Sequence, residues 1–87
     1  MPPPKRVSAA HKLFGGQVRF YRKRKEISEQ ELADRVHQSL SLIHAIECGR
    51  RPALSPLLEQ LDRELDADGA LVAAAEHLVG EKVAEFF

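Results

Sequence analysis

The chain has 87 residues with 13 basic and 13 acidic groups, so it carries no net charge. That length suffices for one small domain, and a hydrophobic fraction of 44% suits a helical core. The balance of charge argues against a generic polyanion binder, the single Cys48 rules out an internal disulfide, and no apolar run nears the twenty or so residues needed to cross a bilayer. Met1 to Arg6 also lacks the apolar stretch of a signal peptide, and a reducing cytoplasm is the expected setting.

Residues 1–7 are proline-rich and are expected to form a flexible arm. Charge is unevenly spread beyond them. Residues 1–25 hold eight basic groups, Lys5, Arg6, Lys12, Arg19, Arg22, Lys23, Arg24 and Lys25, and no acid; the remainder sets five bases against all thirteen acids. Such a split suggests a basic nucleic-acid face opposite an acidic body. For Lys23, Arg24 and Lys25 the alternative is a solvated helix end whose cations complement its own dipole. The first helix is expected to start near Ser8, or only after Gly15-Gly16, and to end near Lys25.

Ser28-Glu29-Gln30-Glu31 reads as a capping box, in which Ser28 and Glu31 can satisfy each other's orphan backbone donors. Ile27, Leu32, Ala33 and Val36 follow at helical spacing and predict a second helix over about 29–36. Ala33 is small enough to admit a crossing helix. Ser39 can cap a third helix over about 40–47, with Leu42, Ile43 and Ile46 on its buried face. Gly49 supplies a left-handed stop, and Pro52 prevents resumption. Two short helices across a tight turn make a helix-turn-helix, whose second helix can enter a DNA major groove.

Gly49 to Leu54 reads as a loop. Ser55-Pro56 opens a fourth helix, with serine as cap and proline in the first turn, running to about Leu65. After the turn Asp66-Ala67-Asp68-Gly69, the segment Ala70 to Phe87 predicts a fifth helix. Leu71, Val72, Ala75, Leu78, Val79, Val83 and Phe86 form a broad apolar stripe along it. Four helices ordinarily close such a core, so the stripe is expected to cover its own domain, the same helix of a second subunit, or a partner. The expected division is a flexible arm over 1–7, a helix-turn-helix DNA-binding domain over 8–66, and a C-terminal amphipathic helix over 67–87 that dimerises or begins a further domain. Leu71, Val72, Leu78, Val79, Val83 and Phe86 are the expected dimerisation residues, because the four-helix core should expose few large apolar groups. The ending Phe86-Phe87 suggests a natural chain that continues.

These residues carry a resemblance. Gly15, Val18, Arg19 and Arg22, then Ile27-Ser28 and Glu31-Leu32-Ala33, then Ser39, Ile43, Ile46-Glu47, Gly49, Arg50 and Pro52, and finally Leu57, Leu58, Leu61 and Leu65 stand in the order and spacing of the lambda-repressor-like, Xre/Cro family of helix-turn-helix domains. The chain resembles that family over residues 13–66, and more loosely resembles Xre-type regulators from actinobacteria. The resemblance implies an all-α fold, a four-helix DNA-binding core with an additional C-terminal helix. It implies a repressor-like transcription regulator that binds double-stranded DNA as a homodimer. Arg22 and Glu47 match positions that commonly form an ion pair in the family, and a buried Glu47 would need such a partner.

By the same resemblance Leu40, Ser41 and Ala45 approach base edges, with His44 nearby and Ser39 at the helix entrance. Arg50 and Arg51 are the expected phosphate contacts, joined by Ser28 or Gln30 and more weakly by Lys23. Three departures stand out. Leu40 and Ala45 replace the glutamine, asparagine or arginine that form bidentate bonds to bases. His37-Gln38 fills a turn that usually holds glycine, so His37 is expected in a left-handed conformation. Glu29 stands where a polar neutral residue often opens the second helix, and its charge would oppose a phosphate. The weak reading set leaves an alternative: a protein-interaction module or antitoxin-like protein whose apolar last helix binds a small regulatory partner. Neither an enzyme nor a cofactor or metal site is expected. His11, His37, His44 and His77 lack zinc-helix spacing, and nothing places a nucleophile in a pocket. His44 and Cys48 read as surface and helix-end residues before a pH switch or a redox sensor.

Overall fold

A computed structural model describes residues 9–76. Five helices and no strand occur among them: α1 (Ala9–Arg24), α2 (Glu29–Arg35), α3 (Leu40–Glu47), α4 (Leu57–Glu64) and α5, described over 70–76. The starts of α2 and α3 follow from serine chemistry. Ser28 Oγ accepts from the Glu31 backbone N–H at 3.0 Å, and Ser39 Oγ from that of Leu42 at 3.1 Å. The Glu31 carboxylate accepts from Arg35 one turn on, at 2.8 Å.

Four of the helices stop in one way. Beyond α3, the Arg50 N–H reaches the Ala45 carbonyl at 2.8 Å and the Gly49 N–H reaches Ile46 at 3.0 Å. The same pair of bonds closes α2 (Gln38 to Ala33, His37 to Asp34), α4 (Ala67 to Asp62, Asp66 to Arg63) and α1 (Ile27 to Arg22, Glu26 to Lys23). Each closure needs a left-handed residue. Only Gly49, at φ 80°, is a glycine; Glu26, His37 and Asp66 adopt φ of 61°, 57° and 52°. For a residue with a side chain that conformation costs about 1–2 kcal/mol, which the paired bonds and the packing behind them offset. The turn between α2 and α3 is therefore set by helix closure even without glycine.

The core forms where α3 packs against both α1 and α2. Val18, Leu32, Val36, Ile43, Ile46, Leu61, Leu65 and Leu71 are fully buried there. The α1–α3 crossing is unusually close. A β-carbon on Gly15 would lie 2.4 Å from the carbonyl oxygens of both Ile46 and Glu47. Gly15-Gly16 thus lies inside α1 and does not delay its start. Gly16 has open space around it.

Three expectations are corrected. Ser55 does not cap α4: the N-cap is Pro56, without a side-chain cap, and the Ser55 hydroxyl donates to Glu59 at 2.7 Å. Leu71, expected to lie at a dimer interface, is fully buried within its own chain, with Ala75 also buried and Val72 partly so. Leu58, Leu61 and Leu65 belong to the same buried cluster as Leu71. The remaining dimerisation candidates, Leu78, Val79, Val83 and Phe86, and the arm over 1–7 lie outside the described residues. Nor is the rest of the surface poor in large apolar groups: Leu13 is 69% and Phe20 61% exposed, seven residues apart on α1, and Leu40 and Leu54 are also exposed.

Asp62 explains why α5 starts where it does. This α4 carboxylate is only 8% exposed. Its Oδ1 accepts from the Gly69 N–H at 2.8 Å, and its Oδ2 from Leu71 and Val72 at 2.9 and 3.2 Å. An acid thus caps a helix that begins eight residues further along the chain, at the end where the macrodipole favours negative charge. Asp62→Ala should lower the unfolding free energy by roughly 2–3 kcal/mol, because three N–H groups lose one acceptor, and Leu71→Ala by roughly 2–5 kcal/mol. Urea denaturation checks both. Neither loss should depend on protein concentration, as it would if Leu71 served a dimer.

Candidate nucleic-acid interface

The two serine caps and the closure at His37 hold α3 with one side inward and one outward. Ile43, Ile46 and Glu47 face the core, while Leu40, Ser41 and His44 are exposed and Ala45 and Cys48 lie at the edges. The outward residues recur at helical spacing, so they share a single face. The sequence-predicted base-reading residues are thereby brought together. Ser39 sits at the start of that face, its oxygen accepting from Leu42 while its hydroxyl proton stays available for donation. Ser28 is placed alike at the start of α2, and the Gln30 amide donates to Asp34 at 2.9 Å.

Arg50 and Arg51 follow α3 directly and are exposed. Their backbone N–H groups both reach the Ala45 carbonyl, at 2.8 and 3.3 Å, which fixes where the two side chains emerge. Neither guanidinium forms an ion pair with any described residue. They are two uncommitted cations at the edge of a helix face that lacks charge of its own.

The cations at the end of α1 are partly committed. The Arg24 guanidinium donates to the Asp66 carbonyl at 2.9 Å and lies over the Tyr21 ring at 4.6 Å. The Lys25 ammonium pairs with the Asp66 carboxylate, holding that carboxyl below its ordinary range. These two side chains tie α1 to the turn after α4, whereas Lys23 is exposed without an ion pair to a described residue. Of Lys23, Arg24 and Lys25, Lys23 is the one without such a tie to a described residue.

Behind the face, Arg22 grips Glu47 with a fork: Nε to Oε2 at 2.6 Å and Nη2 to Oε1 at 3.1 Å. A third donor, Nη1, reaches the Ile27 carbonyl at 2.9 Å. The bond to Glu47 raises the Arg22 pKa above its ordinary value. Burial pushes the Glu47 carboxyl up, Arg22 pulls it back, and the neighbouring Glu29 carboxylate adds to the rise. The pair is structural, because it joins the end of α1 and the start of α2 to the end of α3, and Glu47 is 8% exposed.

One contact escaped the sequence reading. His44 Nδ1 lies 3.2 and 3.3 Å from the two carboxylate oxygens of Glu29, and its Nε2 lies 3.5 Å from Cys48 Sγ. Both ring nitrogens are engaged within the domain, so His44 can reach a base only by leaving one partner. The sole signal in the sequence was the unusual acid at the opening of α2. Among the described residues no group of side chains could hold a metal ion, and no helix is long and apolar enough to cross a membrane.

A family profile described as a helix-turn-helix domain matches residues 13–75, most of the chain and slightly more than the four-helix core. No curated protein and no solved structure matches it.

Arg22→Ala should destabilise the fold by roughly 3 kcal/mol, the scale for leaving a buried charge without its partner. The loss should appear in thermal unfolding with no DNA present. A mutant that melts with the parent would remove Arg22 from the structural frame.

Proposed function

Because the chain belongs to the helix-turn-helix domain family, we propose that it is a sequence-specific, double-stranded DNA-binding transcription regulator of the lambda-repressor-like, Xre/Cro type, and that it acts as a repressor. The observation that carries this reading is the juxtaposition of the outward α3 face with the unpaired Arg50 and Arg51. The outward residues of α3 itself carry no acid, although Glu29 of α2 lies against His44, and the cations at the edge of the face can meet the phosphates that line a groove.

In this reading α3 lies in the major groove. Ser41 can donate to or accept from a base edge, and Leu40 and Ala45 pack against thymine methyls. Such a set discriminates weakly on its own. Specificity would then draw on two copies acting together, with α3 helices about one DNA turn, or roughly 34 Å, apart on a near-palindromic site. Arg50 and Arg51 position the domain on phosphates, aided by Ser28, Gln30 and Ser39 at the helix entrances and by Lys23.

A second reading is a protein-interaction or antitoxin-like module. It is favoured by Leu13 and Phe20, which present large apolar surface on the side of α1 away from the core. The two readings separate on one experiment, selection of bound sequences from random duplex DNA. Enrichment of a motif supports the regulator, and the absence of any enrichment supports the interaction module.

Arg50→Ala and Arg51→Ala should weaken binding to selected and random DNA alike. Each should reduce the slope of log affinity against log salt by about one unit per chain, hence about two for a dimer. Ser41→Ala should instead narrow the preference between selected and random sites at an unchanged slope. Titrations at several salt concentrations read both effects.

A further inference from the structure

The Glu29–His44 contact has no part in the reading above, yet it sits on the same surface. Glu29 opens α2, fifteen residues before His44, and its carboxylate spans the Nδ1 edge of the imidazole. The charges around this contact do not balance. Two carboxylates, Glu29 from α2 and Glu47 from α3, stand close enough for Glu29 to raise the Glu47 pKa. One guanidinium, Arg22 from α1, serves them, and its fork is committed to Glu47 with a further donor on the Ile27 carbonyl. The remaining group facing the ring is Cys48 from α3. With a neutral imidazole the cluster holds one unmatched negative charge; with an imidazolium it holds none.

We propose that Glu29 and His44 form a proton-linked pair on the α3 face, so that the domain takes up a proton at His44 when it docks on a nucleic-acid duplex. The proposal rests on the DNA reading. Both protonation states fit the free domain. A neutral ring can donate from Nδ1 to Glu29 and accept at Nε2 from the Cys48 thiol; a protonated ring donates from both nitrogens. Docking breaks this tie. A duplex brings a dense row of negative charge toward the α3 face, and Glu29 would meet it as an uncompensated carboxylate. The imidazolium cancels that charge at contact distance, where a unit charge matters most. His44 is half exposed, at 52% of its side chain, so a proton reaches it from solvent.

The sign follows from linkage. The bound state holds the His44 proton more tightly than the free state does. The gain in affinity is therefore present on the acid side and is lost as pH rises. The pair also gives Glu29 a purpose: an acid on a DNA-facing surface is a penalty only while its partner is neutral.

The test is fluorescence anisotropy with a labelled duplex of mixed sequence, at fixed ionic strength, in buffers from about pH 5 to 8. Affinity should fall as pH rises, approaching tenfold per pH unit for each proton taken up. Glu29→Gln should bind more tightly than the parent at the alkaline end and flatten the slope; His44→Gln should flatten it as well. The ring-proton shift of His44, followed by NMR with and without duplex, should titrate at higher pH when duplex is present. A parent that binds with no pH slope overturns the linkage and leaves the DNA reading standing. A slope that survives in His44→Gln assigns it elsewhere and overturns the proposal, as does a His44 titration that duplex leaves unmoved. A parent that binds duplex at no pH overturns the DNA reading and this inference together.

Discussion

The close crossing of α3 over α1 is the constraint on which the rest of this structure depends. A glycine at position 15 lets the carbonyls of Ile46 and Glu47 lie where any β-carbon would stand. Seven residues further along α1, on the same side, Arg22 grips Glu47 and the Ile27 carbonyl. One contact sets how near α3 comes, and the other holds its C-terminal end and anchors the start of α2. Steric fit and charge thus act on the same last turn of α3. Its buried face, Ile43 and Ile46, follows inward, and Leu40, Ser41 and His44 are turned outward as a consequence. The surface proposed for DNA is the residue of a packing problem solved from behind.

The opposite end of the domain is held differently. The turn after α4 gathers Arg24 and Lys25 from α1 onto Asp66, while Asp62 collects the first N–H groups of α5. A short stretch of acids therefore joins three helices. This makes α5 part of the folded unit in its described residues, with Leu71 and Ala75 in the same buried cluster as the leucines of α4. It also gives Arg24 and Lys25, at the end of α1, surface contacts within the molecule. The charge asymmetry of the sequence is real, and part of it is met within the molecule, while Arg50, Arg51 and Lys23, like Lys12, Arg19 and Arg63, are exposed without an ion pair to a described residue.

What could be read from the sequence was what local chemistry decides. Ser28 and Ser39 announce α2 and α3, because a serine before an apolar helical pattern has one good use for its hydroxyl. Gly49 announces the end of α3, and the family resemblance pointed to Leu40, Ser41 and His44, which the structure leaves exposed. The left-handed His37 was legible from the missing glycine. What stayed hidden depends on contacts between distant segments. Gly15 looked like a helix breaker until α3 lay against it. Asp62 gave no signal, since the N–H groups it caps lie seven to ten residues away across a turn. Leu71 looked like interface because a stripe cannot say what it will cover. The Glu29–His44 contact joins two helix positions that share no local signal, and only the oddness of Glu29 hinted at it.

Two adjacent glycines allow the crossing to be tested against its own control. Thermal unfolding of Gly15→Ala and Gly16→Ala should diverge in opposite directions. In Gly16→Ala the new methyl meets open space and alanine is the better helix former, so stability should rise by up to about 1 kcal/mol. In Gly15→Ala the methyl meets two backbone carbonyls that cannot move without carrying α3 with them, and the overpacking should cost more than that gain, roughly 1–3 kcal/mol net or loss of cooperative unfolding. A Gly15→Ala chain as stable as Gly16→Ala would contradict the account, because α3 would then not be seated by its closeness to α1.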